Sequence, residues 1–163
     1  MKTSQLQIRV SAEQKKMIRR DAQKAGKDIS SWVLEQILPQ KRLEFQSLLK
    51  NLSSASKEEQ SFLLANLNDF LEELSPLELQ RAVRNPDQIK LSPFLENYVA
   101  AMIEQAANLK EVTPPLWVND ITPLTEPHFS SQLNSLRIHL LLNSPIAFKR
   151  RNIFIDSSIG SRI

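Results

Sequence analysis

The sequence contains no cysteine, which excludes disulfide bonds and thiolate metal ligands. Only two residues are glycine, and Gly26 and Gly160 lie far apart, so there is no glycine-rich loop of the kind that binds nucleotide phosphates. No apolar run approaches the roughly 20 residues that a membrane-spanning helix needs. With few glycines and 41% hydrophobic residues, the chain is expected to be globular, mainly helical and cytoplasmic.

Residues suited to catalysis are also scarce. The two histidines, His128 and His139, are eleven positions apart and lack the spacing and acidic neighbours of metal or hydrolase sites. Adjacent acids such as Glu58 and Glu59 face different directions on a helix, which is typical of a solvated surface. The sequence therefore predicts a protein that is not an enzyme and that uses no cofactor and no metal.

Charge is distributed unevenly along the chain. Residues 1–42 carry ten Lys or Arg against four Asp or Glu, a net charge of +6. Residues 43–112 have a net charge of −5, and residues 113–163 one of +2. Because basic segments attract nucleic-acid phosphates and acidic segments are repelled by them, the first region is the candidate for nucleic-acid binding.

Residues 5–10 alternate polar and apolar side chains without a break. In a β-strand the two sets would point to opposite faces. The apolar set is Leu6, Ile8 and Val10, and the polar set is Gln5, Gln7 and Arg9. Gln and Arg match base edges in the DNA major groove, which admits a two-stranded ribbon. A lone strand this short needs a partner, and no alternating segment lies nearby, so the strand predicts a homodimer.

Two short helical patterns follow this strand. Ser11 with Gln14 predicts the capped start of a basic helix, and Gly26 is suited to end it. A second helix is predicted to begin at Asp28-Ile29-Ser30-Ser31, with a serine as its cap, and to end at Pro39.

This order of strand, basic helix, glycine turn and apolar helix resembles the ribbon-helix-helix family of DNA-binding proteins over residues 3–38. The resemblance implies a dimeric ribbon in the major groove, with the start of the second helix binding a DNA phosphate. The residues that it implies for DNA contact are Gln5, Gln7, Arg9, Lys27, Ser30 and Ser31. Asp28 departs from this picture, because a carboxylate beside the phosphate would repel it.

From residue 40 to about residue 110, apolar residues recur at helical spacing. One stripe contains Phe45, Leu48, Leu49 and Leu52, and another contains Leu63, Leu67, Phe70, Leu71 and Leu74. Ser75-Pro76 and Ser92-Pro93 each predict the start of a further helix. These patterns predict a helical core, and the alternative that part of this surface binds another protein stays open.

The last fifty residues change character. Three prolines between residues 114 and 123 predict an extended and unusually apolar segment. A helix is predicted from about Ser130 to Asn143, and the basic and then apolar stretch 148–156 predicts a strand that pairs at a specific place. The predicted organisation is a DNA-binding and dimerisation domain at 1–42, a helical region at 43–112 and a partner-binding segment at 113–163.

The pattern from Leu136 through Asn143-Ser144-Pro145 to Asp156 is similar to that of small bacterial proteins encoded beside nucleotidyltransferase-type toxins. This resemblance implies an antitoxin, which represses its own operon through the ribbon and silences the toxin with the remainder of the chain. Aromatic and arginine side chains dominate interface hot spots. The residues predicted for toxin contact are Trp117, Arg150, Arg151, Asn152, Phe154 and Asp156. The alternatives are a core position for the two aromatics and DNA contact for the two arginines.

Two other functions fit the same sequence. A stand-alone repressor would use residues 43–163 as an effector or oligomerisation module. A helical adaptor, or a subunit associated with a nuclease, would have no operator at all. Co-purification of a neighbouring gene product favours the antitoxin, a ligand-dependent DNA affinity favours the repressor, and the absence of any DNA preference favours the adaptor.

Overall fold

A computed structural model describes residues 7–37, 40–84, 89–131 and 133–156. The chain divides into two compact units, unit 1 (Met1–Gln40) and unit 2 (Lys41–Ile163). The described helices are α1 (Ala12–Lys24), α2 (Ile29–Ile37), α3 (Gln40–Ser54), α4 (Lys57–Glu73), α5 (Pro76–Ala82), α6 (Pro93–Leu109), α7 (Trp117–Asp120), α8 (Asn134–Asn143) and α9 (Ile146–Lys149). The described strands are β1 (His128–Phe129) and β2 (Ile153–Phe154). The prediction of a mainly helical fold is confirmed.

The predicted amino-terminal strand is not seen. Residues 7–10 form no strand, and β1 is the first strand in the described part of the chain. Gln5 and Leu6 lie outside the described residues. A single chain offers residues 7–10 no second strand, and a strand needs a partner to satisfy its backbone groups.

The boundaries of α1 follow the local sequence. The Ser11 hydroxyl accepts from the Gln14 backbone N–H at 3.2 Å, and the Gln14 side chain accepts from the Ser11 N–H at 2.9 Å. Gly26 has a φ of +64°, and the N–H of Lys27 reaches back to the Ala22 carbonyl at 3.0 Å. This is the left-handed glycine ending in which the last carbonyls of a helix are satisfied. Both predicted ends of the helix are confirmed.

The core of unit 2 surrounds α6, which packs against α4, α7 and α9. The predicted stripes on α3 and α4 supply much of the rest of this core. Buried members of these stripes are Phe45, Leu49, Leu52, Leu67, Phe70, Leu71 and Leu74, while Leu48 and Leu63 are partly buried. The rings of Phe45 and Phe70 stack with centroids 6.3 Å apart and join α3 to α4.

The predicted starts of α5 and α6 are confirmed. The Ser75 and Ser92 hydroxyls accept backbone N–H groups from the first turn of each helix. The Ser75 hydroxyl, and then its backbone N–H, lower the pKa of the Glu78 carboxyl below the usual value. A lowered pKa in the folded state stabilises the protein above the pKa of Glu in the unfolded chain. This stability is lost as the pH falls through the folded-state pKa.

The proline-rich segment is not wholly extended, contrary to the prediction. The Val118 N–H donates to the Pro115 carbonyl at 3.1 Å, and the Asn119 N–H donates to the Leu116 carbonyl at 2.9 Å. These bonds close the single turn α7. They are compatible with proline because Pro115 lies ahead of the turn and contributes a carbonyl, so that no proline N–H is needed. The predicted strand within 148–156 is confirmed, since β2 pairs in parallel with β1 and Phe154 lies opposite Phe129.

The end of α6 gives a testable consequence. Glu111 has a φ of +55°, and the Val112 N–H donates to the Ala107 carbonyl at 2.9 Å, as in a glycine-terminated helix. Non-glycine residues in this conformation are strained, by roughly 1–2 kcal/mol. Glu111→Gly removes this strain, and the gain is partly offset because glycine has more freedom in the unfolded chain. The substitution should therefore raise the free energy of unfolding, measured by urea denaturation, by about 0.5–1 kcal/mol. Asn108→Gly, a matched change within the helix, should lower it.

Candidate DNA-binding and partner-binding surfaces

The described residues that were predicted to contact DNA lie at the surface of unit 1. Gln7, Arg9, Lys27 and Ser30 are exposed, and Ser31 is half-buried. Gln5 lies outside the described residues. The exposed cations of α1 add to this surface, and they are Lys15, Lys16, Arg19, Arg20 and Lys24. Unit 1 therefore presents a strongly basic surface, as its sequence indicates.

The described part of unit 1 has almost no core of its own. Ala22 is the one buried apolar side chain among those that the structure describes in this unit. Ile8 and Val10 are 55% and 42% exposed, and Met17 and Ile29 are exposed as well. Units of about 40 residues are hard to stabilise even with a complete core. These exposed apolar side chains are available to a covering surface.

The cap of α2 differs from the prediction. The Asp28 carboxylate, rather than a serine hydroxyl, accepts the Ser31 backbone N–H at 3.0 Å. Asp28 directly precedes Ile29, the first residue of α2, and a short carboxylate at that position reaches the third residue of the helix. The negative charge that favours a helix start is thus supplied by the chain itself. This carboxylate lies where the ribbon-helix-helix resemblance implies a DNA phosphate.

Two substitutions of Asp28 separate capping from charge. Asp28→Asn retains a side-chain oxygen for the cap and removes the negative charge. With the phosphate contact that the ribbon-helix-helix resemblance implies, this change should tighten DNA binding roughly two- to fivefold, the range that a charge near a helix end contributes. Asp28→Ala removes the cap and should lower the free energy of unfolding by about 1 kcal/mol. Salt-matched DNA titration and thermal unfolding measure the two effects, and weaker DNA binding by Asp28→Asn would contradict this account.

Two of the predicted partner-binding residues converge on a buried acid. Glu104 on α6 and Arg151 are each 4% exposed, and Arg151 donates to Glu104 at 3.2 Å and to the Val118 carbonyl at 2.7 Å. The neighbouring Arg150 donates to Glu104 at 2.7 Å, with a side chain that is 61% exposed. Arg151 thus joins α6, α7 and the end of α9 within unit 2. Its burial favours this internal role over partner contact, whereas Arg150 remains accessible.

The other predicted partner-binding residues also make contacts within unit 2. The Trp117 indole N–H donates to the Val83 carbonyl at 2.8 Å, and Phe154 is buried with its ring 4.9 Å from that of Phe129. Asn152 has a φ of +61° and donates its side-chain amide to the Leu124 carbonyl at 3.1 Å. Asp156 is half-buried. The burial of Phe154 therefore favours the alternative that this side chain completes the core of unit 2.

The exposed side of α8 is a candidate surface that was not predicted from the sequence. The exposed apolar residues on and beside this helix, here called the α8 surface, are Leu133, Leu136, Ile138, Leu141, Leu142 and Ile146. Leu140 is the buried residue of the helix. The sequence of this ten-residue helix could have indicated the surface, because its apolar side chains lie on most of its circumference. Such helices are normally covered on more than one side. Clustered exposed apolar side chains are typical of protein-interaction sites.

A groove of about 1180 Å³ runs between α4 and α6, with aromatic side chains on its floor. Phe94 lies 4.3 Å from the His128 ring and 5.6 Å from Tyr98 between ring centroids. Partial burial lowers the pKa of His128 and burial raises the pKa of Tyr98, because each loses water around its charged form. Within the described ranges, no three His, Asp or Glu side chains are arranged to bind a metal ion. The groove thus combines an aromatic packing surface with charged residues from α4 and its surroundings, among them Lys57, Asp69 and Glu72.

A model of the family described as Antitoxin TacA 1-like matches residues 5–84 of this chain. The match includes the whole of α1 to α5 and ends before α6. This match makes just under half of the chain, 80 of its 163 residues, similar to an antitoxin family. No curated protein and no solved structure matches the chain. Over the part of the chain that the structure describes, no helix has the length and apolar character to cross a membrane.

Proposed function

We propose that this chain is an antitoxin, in which a dimer of unit 1 binds operator DNA and unit 2 binds and neutralises a toxin. The observation that carries the proposal is the basic unit 1, in which Ala22 is the one buried apolar side chain among those described. The antitoxin family model matches this unit from residue 5 onwards. A dimerising DNA-binding domain needs both properties, because its core is completed by the second copy and its charge attracts phosphate.

Dimerisation would proceed through residues 5–10. Two copies of this segment, paired as an antiparallel ribbon, would cover Ile8 and Val10 with the corresponding residues of the other copy. Gln5, Gln7 and Arg9 of both copies would then face the major groove and determine sequence preference. Lys27, Ser30 and the cations of α1 would contribute contacts to phosphate, which position the protein without reading bases. Repression of the chain's own operon would follow from such binding.

Toxin binding would use the α8 surface. Unit 2 has a closed core, in which Phe45, Ile103 and Val118 are fully buried, so the exposed residues of α8 are not needed for its folding. Asp156 lies beside this surface, with its carboxylate 3.8 Å from the His139 ring nitrogen on α8. Arg150 is the other accessible member of the residues predicted for toxin contact. The resemblance of the carboxy-terminal pattern points to a nucleotidyltransferase-type toxin.

The DNA-binding half of the proposal is tested by titrating the protein with its own promoter and with a scrambled duplex over a range of salt concentrations. We expect tighter binding to the promoter and an affinity that falls linearly in log salt. Arg9→Ala should remove the preference while the dimer stays intact, whereas Lys50→Ala, an exposed change in unit 2, should have no effect. Equal and weak binding to both duplexes would contradict operator recognition and favour a helical adaptor.

A further inference from the structure

A second cavity in unit 2, here called the α5 pocket, has a volume of about 610 Å³ and lies between α5 and residues 112–117. Its lining is mostly apolar and includes Leu79, Val83, Ala107, Pro114, Pro115 and Trp117. The charged residues among those described around it are Arg81 and Arg84. It involves neither the α8 surface nor the proposed DNA-binding residues.

Hydrogen bonds fix the walls of this pocket. The Trp117 indole N–H donates to the Val83 carbonyl at 2.8 Å, which joins the proline-containing segment to the end of α5. The Val112 N–H donates to the Ala107 carbonyl at 2.9 Å, which sets the direction in which the chain leaves α6. Two prolines further restrict the backbone between these bonds. The pocket is therefore shaped before any ligand arrives, which reduces the cost of binding.

The charged residues that the structure describes at the α5 pocket are all positive. Arg81 and Arg84 are exposed, and neither forms a hydrogen bond or an ion pair with the described residues. No Asp or Glu is found among the described residues that line the cavity. Guanidinium groups pair with carboxylates through two parallel hydrogen bonds. Two unpaired arginines beside an apolar floor complement a ligand that carries a carboxylate next to an apolar group.

The rim of the pocket favours a protein segment over a small molecule. Leu77 is 55% exposed and Leu116 is 82% exposed, so the apolar surface continues outside the cavity. Small-molecule sites enclose most of their ligand. We propose that the α5 pocket binds an extended segment of a second protein, in which an Asp or Glu stands beside a large apolar side chain. The apolar side chain packs against Pro114 and Trp117, which are half-buried in the free chain, and the carboxylate pairs with the arginines.

The proposal is tested by selecting random peptides displayed on phage against the full chain. We expect enrichment of peptides in which Asp or Glu is adjacent to Leu, Ile, Phe or Trp. A synthetic copy of an enriched peptide should bind the double variant Arg81→Glu with Arg84→Glu at least roughly tenfold more weakly, since charge-assisted hydrogen bonds are lost. The matched variant Lys50→Glu with Lys90→Glu, which has the same net charge, should bind as the parent does.

A spectroscopic readout locates the peptide. Trp32 and Trp117 are the two tryptophans of the chain, so in Trp32→Phe the emission comes from Trp117 in the pocket. Peptide binding should shift this emission, and the same peptide with its acid replaced by the amide should neither shift it nor bind tightly. Comparing the acidic peptide with its amide tests the role of the carboxylate on the parent arginines, so it does not depend on whether an arginine variant folds. Selected peptides without acidic residues, equal binding to both double variants, or unchanged emission would overturn the proposal.

Discussion

Glu104→Leu is expected to lower the free energy of unfolding by about 3–5 kcal/mol, because it leaves the Arg151 guanidinium buried without a counter-charge. Arg151 is 4% exposed and has a single remaining described acceptor, the Val118 carbonyl. Its Nε already lacks a hydrogen-bond partner, so the group depends strongly on Glu104. Urea denaturation of the full chain measures the change.

Two further variants make this prediction specific. Replacing both partners, as Glu104→Leu with Arg151→Met, should recover most of the loss, since buried ion pairs can be exchanged for apolar pairs at little cost. Arg150→Gln should cost less than about 1 kcal/mol, because the Arg150 side chain is 61% exposed and Glu104 keeps its buried partner Arg151. If Glu104→Leu proved as stable as the parent, Arg151 would have to leave the core, and its assignment as an internal residue would be wrong.

Charging the apolar face of residues 5–10 is expected to abolish operator binding. Ile8→Asp with Val10→Asp would place four carboxylates in the ribbon of the proposed dimer, and like charges in that position prevent pairing. Affinity for the promoter should fall roughly a thousandfold or more, to the level of non-specific binding. Sedimentation velocity should show a monomer with unit 2 still folded.

The matched control for this experiment is Phe62→Asp, which charges an exposed apolar residue of unit 2. It should leave both the dimer and the DNA affinity unchanged. A dimer that persists in the Ile8 and Val10 variant, with the affinity of the parent, would show that these side chains do not meet in the interface. Dimerisation through residues 5–10 would then be wrong.

The parts of the fold that could be predicted from sequence are those set by local interactions. Ser11 with Gln14 and Ser75 with Glu78 lie three residues apart, so the sequence alone specifies the capped helix starts. The apolar stripes of α3 and α4 were equally readable, because helical periodicity determines which side chains share a face. The capping residue itself was not always predicted correctly, since Asp28 rather than a serine caps α2.

The parts that could not be predicted depend on contacts between distant residues. Arg151 pairs with an acid 47 positions earlier, and no local pattern distinguishes such an arginine from an exposed one like Arg150. In α8, Leu140 is buried and Leu142 is exposed. This difference depends on where β2 packs against the helix, which the sequence of the helix does not reveal. The fold therefore buries Arg151 and Phe154 and leaves the apolar side chains of α8 exposed.

The most direct test of the proposed function is growth of cells that produce each neighbouring gene product with and without this chain. We expect one neighbouring product to arrest growth alone, and the full chain to restore it. Ile138→Asp with Leu142→Asp should fold and still bind the promoter but fail to restore growth, because it charges the α8 surface. If neither neighbouring product is toxic, or if the full chain gives no protection, the chain is not the antitoxin of that locus.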